Sequence, residues 1–92
     1  MAPQKVMRII FNKDFYKRYG KLRQQEKQKV DTRIRLFEKD LFHPLLNNHP
    51  LSGIYHGYHS INITGDLRAI YEKININTFH FVTLGTHPEL YE

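Results

Sequence analysis

The sequence predicts an α+β fold, with a helical hairpin packed on a small four-stranded, mainly antiparallel sheet in the order β-α-α-β-β-β. Three observations predict it. Residues 5–11, KVMRIIF, alternate with the period of a strand. Two helical stripes follow between residues 12 and 41. From residue 57 the alternation returns, broken at Thr64-Gly65-Asp66 and at Asn75-Ile76-Asn77. A length of 92 residues matches one domain, 1–92, with a modest core.

Each element has its own warrant. In the first strand Met7, Ile9 and Phe11 share one face, and Val6, Arg8 and Ile10 the other. Asn12 is placed to cap a short helix, NKDFYKRYGKL, whose Phe15, Tyr19 and Leu22 form one stripe. A longer helix from about Gln24 to Leu41 repeats Val30, Ile34, Phe37 and Leu41, with Lys27, Lys29, Arg33 and Arg35 on other faces. So little chain separates the two helices that they form a hairpin. Residues 43–53, HPLLNNHPLSG, read as a loop, from their two prolines, two asparagines and glycine. Strands follow at about 57–63, 67–74 and 78–84, and residues 85–91 close the chain as a tail.

The register of the first hairpin follows from burial. A three-residue loop pairs Ile63 with Leu67 and Ile61 with Ala69, giving one apolar face for the helices. A two-residue loop would place Ile61 and Ile63 on the same face as Asp66 and Arg68. In the first register Asn62 and Arg68 meet on the face away from the helices.

Composition narrows the function classes. The chain is 40% hydrophobic and 25% charged, a globular balance. It has no cysteine, which excludes disulfides and thiolate chemistry and is compatible with a reducing compartment. No apolar run reaches the length of a membrane span, and MAPQKVMRII lacks a signal-peptide core, so the expected location is the cytoplasm with no membrane contact. The net charge of +5 conceals an asymmetry. Residues 1–39 carry twelve Lys/Arg against four acids, whereas residues 40–92 carry only Arg68 and Lys73 against five. All six histidines lie in the second part. A basic segment of this kind suits a polyanionic or acidic partner, or simply a solvated helix face.

His49 lies in the Pro/Asn loop, Asp66 at the entrance of the third strand, Arg68 centrally upon it, and His87 just past the end of the last strand. Distant in sequence, these positions can converge on one rim of the sheet. Other chemistries fit less well. His56 and His59 stand three apart, and in extended chain they point to opposite faces, against a shared metal ion. There is no G-x-S-x-G elbow, and GKLRQQEKQK lacks the spacing of a phosphate loop.

Three stretches together are more specific: HPLSG (49–53), GYHSINITGDLRAIY (57–71) and GTHPELY (85–91). They resemble the RelE/ParE superfamily of bacterial toxins, in particular its YafQ-like branch of mRNA interferases. The resemblance spans the chain in element order and is concentrated in the last 44 residues. It implies a RelE-like fold and a toxin that cleaves ribosome-bound mRNA and is held inactive by a cognate antitoxin. Carried over by motif, His49, Asp66, His87 and Tyr91 match functional positions, and Arg68 matches an arginine that contacts the scissile phosphate. The sequence departs at Ser60 and Asn62, where YafQ-like relatives can carry an acid and a histidine and other RelE-type toxins lysines. His59 and Asn62 are therefore expected on the RNA-binding surface.

The chemistry suits these residue types. Cleavage of RNA by its own 2′-OH needs a base, an acid and charge stabilisation at phosphorus, and neither metal nor cofactor is expected. Histidine holds either proton state near neutrality, and arginine's planar fork matches phosphate oxygens. Tyr91 is suited to stacking on a base, and the basic helices to ribosomal RNA. Two alternatives stay open: a ParE-like toxin that binds and inhibits DNA gyrase without catalysis, and a basic adaptor whose histidines are incidental.

Overall fold

The computed structural model describes residues 6–91, in the order β1 (Arg8–Phe11), α1 (Lys13–Gly20), α2 (Gln24–Lys39), β2 (His49–Pro50), β3 (His59–Asn62), β4 (Leu67–Asn75), β5 (Thr78–Thr86) and α3 (His87–Tyr91). The sheet has five strands rather than four, in the spatial order β1-β5-β4-β3-β2. β1 runs parallel to β5, and every other pairing is antiparallel. The added strand is β2, two residues drawn from the segment expected as a loop. Short 3-10 turns, Pro44–Leu46 and Gly53–Tyr55, flank it. The first strand is shorter than its alternation predicted, and Lys5 lies outside the described residues.

The expected helices form for the expected reasons. The Asn12 side chain accepts from the Asp14 amide at 2.8 Å and starts α1. Phe15 is buried, and Tyr19 and Leu22 pack partly buried against the same core. In α2 the buried positions are Val30, Ile34 and Phe37. The helix stops at Lys39, before the predicted Leu41, because Asp40 turns extended. Phe37 is fully buried, with the rings of Tyr71, Phe79 and Phe81 at 5.0, 5.3 and 5.2 Å in edge-on contacts. This is the geometry that aromatic quadrupoles favour.

Burial selects the hairpin register as argued. Ile61 faces Ala69 and Asn62 faces Arg68, while the Ile63 amide donates to the Leu67 carbonyl at 2.9 Å. A register shift between Ile70 and Tyr71 inserts an extra residue of β5 at Val82. That bulge lets Phe79, Phe81 and Leu84 all face the core. The opposite face is also partly covered, since Ser60, Ile70 and Leu90 are buried but outside the main cluster. Beyond the end of β1, α1 ties to the free edge of β5. Asp14 Oδ2 accepts from Arg18 Nε at 3.1 Å and from the Thr83 hydroxyl at 2.7 Å.

Phe37→Ala should cost about 3–5 kcal/mol, a large share of the roughly 5–14 kcal/mol expected for a domain of this size. Phe42→Ala, at a residue 74% exposed, should stay within about 0.5 kcal/mol. Urea unfolding of both variants is the measurement. A small effect at Phe37 would remove it from the centre of the core.

Candidate active site

Strand alternation sorts the predicted residues into two faces. Ile61, Ile63, Leu67 and Ala69 face the helices, so Ser60, Asn62, Arg68 and Ile70 face away. His49 pairs directly with Ser60 and shares that outer face. It is therefore a strand residue, not a loop residue. Its Nδ1 lies 2.7 Å from the Asn47 carbonyl, and the ring is half-buried.

Arg68 is the second residue of β4, at its start rather than its centre. Its guanidinium folds over the preceding turn. Nη1 donates to the carbonyls of Thr64 at 2.9 Å and Leu67 at 3.3 Å, and Nη2 to that of Gly65 at 3.1 Å. The turn itself is closed by the Thr64 hydroxyl, which accepts from the amides of Leu67 and Asp66 at 3.0 and 3.3 Å. Arg68 has no acidic partner among the described residues; Glu72 instead pairs with His80 at 3.1 Å. The Asp66 carboxylate is exposed on the turn and likewise unpaired among the described residues.

His87 and Tyr91 do not lie on a tail. They belong to α3, which starts directly where β5 ends. Thr86 and Glu89 form a reciprocal cap. The Thr86 amide donates to Glu89 Oε1 at 2.7 Å, and the Glu89 amide donates to the Thr86 hydroxyl at 3.5 Å. Hydrogen bonding from Thr86 to the carboxyl, by its amide foremost and then by its side chain, holds Glu89 below the usual glutamate range. Across β4, Gly85 is the partner of Arg68. A Cβ on Gly85 would come 3.0 Å from Arg18 Nη1 and 3.3 Å from Leu90 Cδ2. The glycine therefore lets α3 settle onto the outer face beside Arg68.

The two site residues of α3 stand one turn apart, with ring centroids 4.6 Å from each other. Tyr55 meets Tyr91 edge-on at 5.5 Å. Burial raises the Tyr91 hydroxyl above its ordinary value, the Tyr55 hydroxyl adds to this, and the nearby Arg68 charge opposes it. That opposition puts Arg68 within electrostatic reach of Tyr91. Arg68, His87 and Tyr91 thus lie where β4 begins, and His49 shares the outer face from β2, two strands away. Tyr55 and Gly85 complete the arrangement. The sequence reading missed both, and a T-x-x-E cap at Thr86–Glu89 was the signal that could have found α3.

His59 is the exception. It lies on the helix-facing side of β3, stacked on Tyr71 at 5.3 Å and 18°, and so is separated from Asn62 and Arg68 by the sheet. Its Nδ1 is buried without a partner, as is Asn62 Oδ1 on the other face. Ser60 is 2% exposed, which makes it a packing position. Near the turn that holds Arg68, Lys29 and Arg33 of α2 border a groove of about 410 Å3 that also reaches Asn62 and Gly65. The basic helix therefore adjoins the site. No group of three or more His, Asp or Glu gathers in metal-binding geometry among the described residues. No helix among them is long and apolar enough to cross a membrane.

A family described as bacterial toxin of type II toxin-antitoxin system, YafQ, matches residues 5–92. No curated protein matches the sequence. Among solved structures, the chain is similar to YafQ from E. coli strain BL21(DE3), with TM-score 0.76 and 22% identity over 94% of this chain and 99% of that one. It is also similar to a chain of the E. coli DinJ–YafQ toxin-antitoxin complex, with TM-score 0.73 and 24% identity over 94% and 98%. The YoeB/ParE toxin from Agrobacterium tumefaciens gives TM-score 0.73 and 21% identity over 88% and 99%. At these identities the structural likeness is one of fold.

The lowered Glu89 value fixes a pH dependence. Its contribution to anchoring α3 is fully present above the ordinary glutamate pKa and is lost as pH falls through the lowered one. The Thr86 amide resonance should therefore move in that acid window, together with the ring contact between His87 and Tyr91. Glu89→Gln should remove the transition. A Thr86 amide that stays constant through the acid range in the wild-type protein would dissolve the cap.

Proposed function

The chain belongs to the YafQ family of type II toxin-antitoxin toxins, and from that premise we propose that it is an endoribonuclease that cleaves mRNA on the ribosome. One observation carries this reading: an arginine clamped by turn carbonyls shares one sheet face with two histidines and a half-buried tyrosine. Binding alone does not call for a preset proton acceptor on one face with a fixed cation. Strand scission by the RNA's own 2′-OH does.

In this scheme His49 Nε2 takes the proton from the 2′-OH, and the 2′-oxygen attacks phosphorus. The bond from phosphorus to the 5′-oxygen breaks, and His87 supplies the proton to the departing oxygen. The products are a 2′,3′-cyclic phosphate and a 5′-hydroxyl end. Arg68 faces the phosphate oxygens as negative charge grows on them. Its carbonyl clamps hold it in place beforehand, so little reorganisation accompanies the reaction. Asp66, exposed on the adjoining turn, supplies a carboxylate at the same end of the sheet. Tyr91 offers a ring face to a base. Asn62 borders the path of the strand, and Lys29 and Arg33 attract its backbone. No step in the scheme calls for a metal or a cofactor.

A toxin of this family calls for a cognate antitoxin, and the solved DinJ–YafQ complex supports a protein partner; in this reading that partner covers or distorts the rim. Ribosome-bound mRNA as the substrate places the activity in the cytoplasm, in one domain over residues 1–92.

His87→Ala should lower cleavage about 10²–10⁴-fold, the usual scale for a lost general acid or base. Its melting should barely change, because the side chain is exposed. Arg68→Lys keeps the charge but loses the fork. Turnover should fall about 10²–10³-fold, with ribosome binding nearly unchanged. Mapping mRNA 5′ ends after brief induction, beside a titration against ribosomes, reads both effects. Undiminished cleavage in either variant refutes its assigned role. Intact transcripts together with blocked DNA supercoiling would transfer the protein to the gyrase-binding reading.

A further inference from the structure

Asn47 is the one non-glycine residue with a positive φ among the described residues, at φ 44° and ψ 48°. Left-handed backbone is uncommon outside glycine, and asparagine is among the few side chains that tolerate it. The Asn47 side chain is exposed, so what the position supplies is its backbone conformation. Both neighbours are fixed. Leu46 is fully buried. The Asn48 side chain donates to the Leu41 carbonyl and accepts from the Tyr71 hydroxyl, each at 2.9 Å.

Held in this way, the Asn47 carbonyl lies 2.7 Å from His49 Nδ1. A carbonyl can only accept, so Nδ1 carries the proton and the neutral ring presents its lone pair at Nε2. His43, on the other side of the same 3-10 turn, is set the opposite way. Its Nδ1 accepts from the Leu45 amide at 3.1 Å, so its neutral ring keeps the proton on Nε2. Two histidines flanking one turn are thus held in opposite tautomers by backbone groups.

We propose that Asn47 is a positioning residue for the cleavage reaction: its left-handed backbone turns its carbonyl onto His49 and fixes the tautomer whose Nε2 accepts the substrate proton. The inference rests on His49 acting as the base. It makes a prediction that needs no cleavage to test. Substitution by glycine preserves the left-handed conformation, whereas a β-branched side chain resists it.

The experiment is nitrogen-15 NMR of the imidazole rings at a pH where they are neutral, on wild type, Asn47→Gly and Asn47→Val, with His43 as internal reference. Single-turnover cleavage is measured in parallel. In wild type and Asn47→Gly, His49 should show the Nδ1–H tautomer and His43 the Nε2–H tautomer. In Asn47→Val the His49 signal should shift toward a mixture while His43 holds, and the cleavage rate should fall about tenfold or more with ribosome affinity kept. Asn47→Ala serves the same comparison if the valine variant does not fold. An Nε2–H tautomer for His49 in wild type overturns the proposal, as does a valine variant that keeps both tautomer and rate. A tautomer that follows Asn47 in a protein that cuts no RNA upholds the backbone device and removes the catalytic reading of His49 instead.

Discussion

The parity of the β3–β4 hairpin is the constraint on which the rest of the molecule depends. Side chains alternate strictly along a strand, so Ile61, Ile63, Leu67 and Ala69 can enter the core together only if Asn62 and Arg68 face out. A slip of one residue would bury an arginine without an acidic partner and expose four apolar side chains, and each error is costly. The placement of Arg68 is therefore enforced by hydrophobic burial on the reverse side of the same strand. From there the chain of consequence runs outward. Gly85 lies opposite Arg68, its missing side chain admits α3, and α3 delivers His87 and Tyr91 to the face where Arg68 stands.

This dependence explains what was legible in the sequence. Long periodic segments declare themselves: the stripes of α1 and α2, the cap at Asn12, and the pairing of Ile61 with Ala69 all followed from spacing and burial. The elements that escaped are short and owe their form to neighbours. β2 is two residues with a proline and exists only because β3 pairs with it. α3 is five residues with Pro88 near its start, a local signal for a loop as much as for a helix. Isolated helices of that length do not persist in water, and packing against β5 sustains this one.

The site was legible in the same uneven way. Motif resemblance proposed His49, Arg68, His87 and Tyr91 as candidates, and the fold sets these on one face. It could not report that His59 lies on the other face, stacked on Tyr71. Adjacent positions in a strand look equivalent in a motif and are opposed in space. Nor could a motif show that Arg68 grips its own turn instead of an acid. The groups that orient the candidate side chains here are main-chain carbonyls and amides, which every sequence contains and none advertises.

The brevity of β2 has a consequence for how another protein can occupy this side of the molecule. An exposed strand is ordinarily a template, because its free donors and acceptors invite a further strand to add by main-chain pairing. β2 offers only two residues, and Pro50 has no N–H to give. A polypeptide arriving at the His49 edge finds almost no ladder to extend. Recognition there falls to side chains, to the shape of the face and to its charge, and the same shortness keeps copies of the sheet from joining through this edge.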